Sequence, residues 1–160
     1  MTAPLVLAVD PGLSGALAVL DVDGRIVHVA DLPVARDRSL AWIDGQALQS
    51  VLLEAIAGRP CRAVVERVAS RPGQGIASAF TFGAGLGSIL GVVQTLRLPL
   101  ELVTPAQWKR ALGLSSDKAA SLDRARLLFP TAELHRKRDH GRAEALLLAH
   151  WALRSRETRS

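Results

Sequence analysis

The sequence predicts an α/β fold built on a mixed sheet, with three antiparallel strands followed by parallel ones. Three observations carry that reading. The chain opens on a nearly continuous apolar run, Pro4 to Val9, as in a strand buried on both faces. A strong hairpin signal, Asp23-Gly24, follows it. From residue 39 onward, helical spacing alternates with short buried-type runs, the order of a layered α/β domain.

Taken in order, residues 4–9, 14–20 and 25–30 read as the three antiparallel strands, the first ended by the turn Asp10-Pro11-Gly12. Leu40, Ile43, Ala47, Val51 and Ala55 recur at helical spacing and predict a helix from Ser39 to about Ile56, stopped by Gly58 and Pro60. Residues 63–66 form a short buried strand that ends, like the first, on a carboxylate. A Gly-rich loop, 70–75, leads into a long helix over about 76–96. Its glycines (Gly83, Gly85, Gly87, Gly91) lower helix propensity and predict close packing or close backbone approach. Residues 100–103 are a further strand. Thr104 and Pro105 cap and open a short helix to Leu112 in which Trp108 is a core residue. A helix from Ser116 to about Phe129 ends at Pro130, a basic loop covers 135–138, and a last apolar helix spans about 141–153. No repeat or linker interrupts the chain, so residues 1–160 read as a single domain.

Composition narrows the class. With 49% hydrophobic and 22% charged residues the chain can build a core. Its one cysteine, Cys61, excludes an intramolecular disulfide and a four-cysteine zinc site. No apolar stretch is read as reaching the roughly 18 residues of a membrane span, and the N-terminus lacks the basic region of a secretion signal. These features predict a cytoplasmic protein without a membrane partner. Residues 1–96 carry 7 basic and 8 acidic groups, a net of −1, whereas 97–160 carry 13 and 7, a net of +6. A basic half points to a polyanion such as nucleic acid.

Asp10 and Glu66 each end a buried-type strand, and neighbouring strands lie about 4.8 Å apart, within reach of one cation. A buried carboxylate needs such a partner. Glu144 opens the last helix, with His140 four residues before it on the same face and Asp139 reaching the point only from a loop or cap. Converging carboxylates with one possible imidazole suit Mg2+ or Mn2+, and two such ions can drive phosphodiester hydrolysis. Lys118, taken alone, reads as a solvated first-turn lysine. Lys109 and Arg110 beside Trp108, Arg67 and Arg71 around the Glu66 loop, and Arg136, Lys137, Arg138 and Arg142 are the candidate DNA contacts. Phe80 and Phe82 are candidates for base stacking or a dimer core, Phe82 leaning to the latter.

Three segments, LVLAVDPGLSGALAVLD, AVVERVASRPGQGIASAFTFG and DHGRAEALLLA, together resemble RuvC-type Holliday-junction resolvases, most closely the phage-like branch, in order and over nearly the whole chain. The resemblance implies an RNase H-like fold with a mixed five-stranded sheet and helices on both faces. It implies a homodimer that nicks four-way DNA junctions symmetrically with Mg2+ or Mn2+, two ions per site, and a branch-migration motor as a further partner. Asp10, Glu66 and Glu144 match the family's ligands, and Lys109 and Lys118 match lysines that approach the scissile phosphate. The family places an Asp or His three or four residues before the last acid. Here His140 fills that window and is favoured on helical geometry over Asp139, one residue too early. Other readings are an RNase H-like ribonuclease, another branched-DNA nuclease or a non-catalytic junction binder. A kinase-like ATPase fragment shares the strand–Asp–Gly turn but needs two such domains.

Overall fold

A computed structural model describes residues 3–70 and 72–157. Its main sheet has five strands: β1 (Leu5–Asp10), β2 (Ala16–Leu20), β3 (Ile26–Asp31), β6 (Cys61–Glu66) and β7 (Leu100–Val103). They lie in the order β3-β2-β1-β6-β7. β1 pairs antiparallel with β2, and β2 with β3. β6 runs parallel to both β1 and β7. The expected mixed sheet of three antiparallel strands and then parallel ones is therefore present.

Alternation along the strands divides the core into two layers. Val6, Ala8, Ala18, Leu20 and Val64 face one side. There they meet α3 (Pro105–Ala111), α4 (Lys118–Leu128) and α5 (His140–Glu157). Leu5, Leu7, Val9, Leu17, Val19 and Val65 face the other, against α1 (Gly45–Ile56) and α2 (Ile76–Thr95). The central strands are buried on both faces, which is why β1 reads as an unbroken apolar run.

Two sequence expectations fail. The helix expected from Ser39 begins only at Gly45, because the Asp44 side chain accepts from the Ala47 amide at 3.0 Å and caps it there. Residues before the cap form a separate hairpin, β4 (Val34–Asp37) and β5 (Leu40–Ile43). The helix buries Leu48, Leu52 and Ile56, one position on from the stripe expected. The second concerns membrane spans. α2 has 20 residues, none charged, and is long and apolar enough to cross a membrane by length and composition. Interspersed Gly, Ala, Ser and Thr hide that length from a search for unbroken apolar runs. In this fold α2 docks on the core through Gly85, Ile89 and Val93.

Close packing also explains only one of the four α2 glycines. Gly85 lies against Ile43, with 3.5 Å from a built Cβ to the Ile43 side chain, whereas Gly83, Gly87 and Gly91 face open space. Lesser adjustments follow cap chemistry. α4 begins at Lys118 because Asp117, not Ser116, caps it, accepting from the Ala119 amide at 2.9 Å. Thr104 and Gln107 form the expected start of α3 as a full capping box.

Candidate active site

The parallel register of β1 and β6 pairs Val9 with Val65, so Asp10 and Glu66 leave the sheet side by side at the same edge. The chain can turn back at once after Asp10 because Gly15 lies against the Asp10 carbonyl; a Cβ there would stand 2.0 Å from that oxygen. The third acid arrives through a second close approach. A Cβ on Gly141 would sit 2.7 Å from the Ser14 carbonyl oxygen, so only glycine lets α5 start hard against the β1–β2 turn. That contact delivers Glu144, one turn further along α5, toward the strand ends. Arg142 fastens the same place by a two-pronged bond to Asp31 at the end of β3, at 2.6 and 3.0 Å.

The three acids sense one another. Burial first, then the charges of Glu66 and Glu144, hold the Asp10 carboxyl well above the ordinary carboxylate range. Lys109 and Lys118 pull in the opposite direction but do not cancel the effect. Glu66 and Glu144 are both buried, each 7% exposed. Each has a partner from α3. The Trp108 indole Nε1 donates to Glu66 Oε2 at 2.8 Å, and the Lys109 ammonium donates to Glu144 Oε1 at 2.6 Å. Lys109 also lies 5.2 Å from the centre of the Trp108 ring, within cation–π range. Among the described residues, no three acidic, His or Cys side chains already stand together as a ligand cluster. The donor set, carboxylate oxygens short of positive charge, matches a hard divalent ion.

The remaining sequence candidates separate. Asp139 does not join the acids. It is buried, its carboxylate accepts from the Arg136 amide at 2.8 Å and from the Arg136 guanidinium at 3.0 and 2.7 Å. That side-chain bond is the main reason its carboxyl is held below the ordinary range. Arg136 and Arg142 are thereby engaged within the chain, although both were expected on DNA. His140 sits at the first position of α5, its Nε2 3.5 Å from the Lys118 ammonium and its Nδ1 3.3 Å from the Lys137 carbonyl oxygen. Arg67, Arg110, Lys118, Lys137 and Arg138 are exposed. Phe80 is also exposed, at 74%. Phe82 packs over Gly12, beside the turn that follows Asp10. Arg71 lies outside the described residues.

Sequence reasoning placed Trp108 in the core but missed its bond to Glu66. A buried indole N–H needs an acceptor, and that need was the available signal. Gly15, Gly141 and Asp31 were missed as well. Gly141, in the first turn of a helix otherwise rich in Ala and Leu, was the visible hint.

No family model matches the chain. It is 37% identical over 140 residues to the chloroplastic Holliday junction resolvase MOC1 of Chlamydomonas reinhardtii; the match covers 81% of this chain and 16% of that protein. The chain thus spans about a sixth of that relative's length. Among solved structures, T. thermophilus RuvC in complex with a Holliday junction substrate superposes with a TM-score of 0.70 at 22% identity, over 96% of each chain. A second Thermus thermophilus RuvC structure gives 0.57 at 22% identity, also over 96% of each chain. The chain therefore has the RNase H-like fold of RuvC and is related in sequence to a Holliday junction resolvase.

Proposed function

We propose that this chain acts as one nuclease unit, a metal-dependent endonuclease that resolves four-way DNA junctions by paired nicks. The observation that carries the reading is the convergence of Asp10, Glu66 and Glu144 from two strand ends and one helix start, in a fold shared with RuvC. Those acids would hold Mg2+ or Mn2+, which supplies an activated water and neutralises charge at the leaving oxygen. With Asp139 engaged by Arg136, the fourth ligand position falls to His140. Lys118, exposed and close enough to act on Asp10, neutralises the phosphate that enters. Arg67 at the end of β6, Arg110 on α3, and Lys137 and Arg138 before α5 grip the flanking backbone. Phe80 offers an aromatic face to an unstacked base.

Symmetric cutting needs two sites related by a two-fold axis. The bare side of α2, with Ile76 91% exposed and open space at Gly83, Gly87 and Gly91, supports a homodimer through that helix.

The test is cleavage of a synthetic four-way junction, a linear duplex and an RNA–DNA hybrid, each with Mg2+ or Mn2+. Symmetric nicks confined to the junction are expected, with Asp10→Asn binding the junction without cutting it. Equal cutting of the hybrid would instead assign a ribonuclease H-like activity, and junction binding with no cutting by the unaltered chain a non-catalytic binder.

A further inference from the structure

Helix α3 contributes to the acid cluster twice in succession. Its seven residues are fixed at the start by the Thr104–Gln107 capping box and anchored by Trp108, which is fully buried. From that anchor the indole takes one oxygen of Glu66, and the next side chain, Lys109, takes one oxygen of Glu144. The Lys109–Glu144 pair is well shielded, its side chains 14% and 9% exposed. Two buried acids beside a third would repel strongly without a cation among them, and among the described residues the Lys109 ammonium is in contact with Glu144. A divalent ion approaching Glu144 Oε1 along the lone pair that the ammonium now occupies would have to displace it, because both cannot take one lone-pair direction at contact distance.

We propose that Lys109 is an exchangeable counter-ion of the acid cluster. It neutralises Glu144 while no divalent ion is bound, and it yields that carboxylate when the ion enters. This rests on the reading above that Asp10, Glu66 and Glu144 hold the ion. Lys109 then has two positions. One is over Glu144, where the ammonium also lies 5.2 Å from the centre of the Trp108 ring; in the other the ammonium is released and free to meet an incoming phosphate. Such a residue weakens metal affinity in the resting protein and stabilises the metal-free fold.

The test is Mn2+ binding by calorimetry, without DNA, on the unaltered chain and on Lys109→Met, which keeps the length of the stem and removes the charge. Lys109→Met is expected to bind Mn2+ more tightly, by about fivefold or more. Its melting temperature should fall below that of the unaltered chain in EDTA, and the gap should close in saturating Mn2+. Lys109→Gln, which keeps an N–H donor, serves if the Met variant does not fold and should behave in the same direction. Equal or weaker Mn2+ binding, or a melting deficit that Mn2+ leaves unchanged, would mean a merely structural lysine and overturn the proposal. No Mn2+ binding by either the unaltered chain or the variants would overturn the metal-site reading itself, and this inference with it.

Discussion

Asp139 and Glu144 stand five residues apart at the start of α5, both buried, and they have opposite surroundings. Asp139 is held by the Arg136 backbone amide and both prongs of its guanidinium, a planar fork matched to a carboxylate. Glu144 is held by a single ammonium, a point charge on a flexible stem. The first arrangement closes the loop before α5 and engages both Asp139 oxygens within the chain. The second leaves Glu144 facing Asp10 and Glu66 with a partner that can move away. Burial alone thus does not distinguish the two acids; the number and kind of their partners does.

Breaking each acid in turn tests this contrast, and the largest effect belongs to Glu144. Glu144→Gln should lower junction cleavage by at least about a hundredfold, beyond the range typical of outer-shell partners. It should leave junction affinity little changed in a gel-shift titration. Asp139→Asn should do the reverse. Cleavage at a temperature where the variant is folded stays within about tenfold of the unaltered chain, while the melting temperature falls because the Arg136 fork loses its charged partner. A loss of cleavage as deep as that of Glu144→Gln would return Asp139 to the metal.

The Asp10 carboxyl supplies a sharper test through pH. Its value is raised in the fold, so between the ordinary carboxylate range and that raised value the folded chain keeps a proton the unfolded chain has released. Folding stability in the absence of metal therefore falls as pH rises through that window. Asp10→Asn removes this loss. The variant should melt above the unaltered chain at neutral pH in EDTA, with the difference shrinking as pH falls toward the ordinary carboxylate range. Calorimetric melts across that range check it. The smallest effects belong to Lys137 and Arg138, exposed just before Asp139. Replacing either with Ala should reduce the slope of log junction affinity against log salt by about 1, without changing the cutting position.

The sheet was legible because its signals are local and strong. The apolar run ending at Asp10, the Asp-Gly turn and the short strand ending at Glu66 each state their own boundaries. Helix edges were legible where a cap stood at the expected place, as at Thr104, and lost where a periodic stripe ran past one, as at Asp44. The candidate acids were legible at two strand ends and in the first turns of one helix. What holds them was not, since hydrogen bonds from Trp108 to Glu66 and from Lys109 to Glu144 span 42 and 35 residues. The pairing of Asp139 with Arg136, three residues away, was within reach of local reasoning. The resemblance directed attention to a ligand in that stretch instead, with His140 favoured over Asp139.

The contact of Gly141 and Gly15 with the β1–β2 turn reaches beyond the site itself. Backbone meets backbone there, with no side chain between to absorb a change. The approach of α5, and with it of Glu144, to the strand ends is consequently set by main-chain thickness, a dimension that side-chain substitution elsewhere does not alter. The turn of the β4–β5 hairpin and the Lys137 and Arg138 side chains before α5 are exposed and can change length or charge without touching that contact. The architecture separates a part that can drift from a part that cannot, and the boundary between them runs through two glycines.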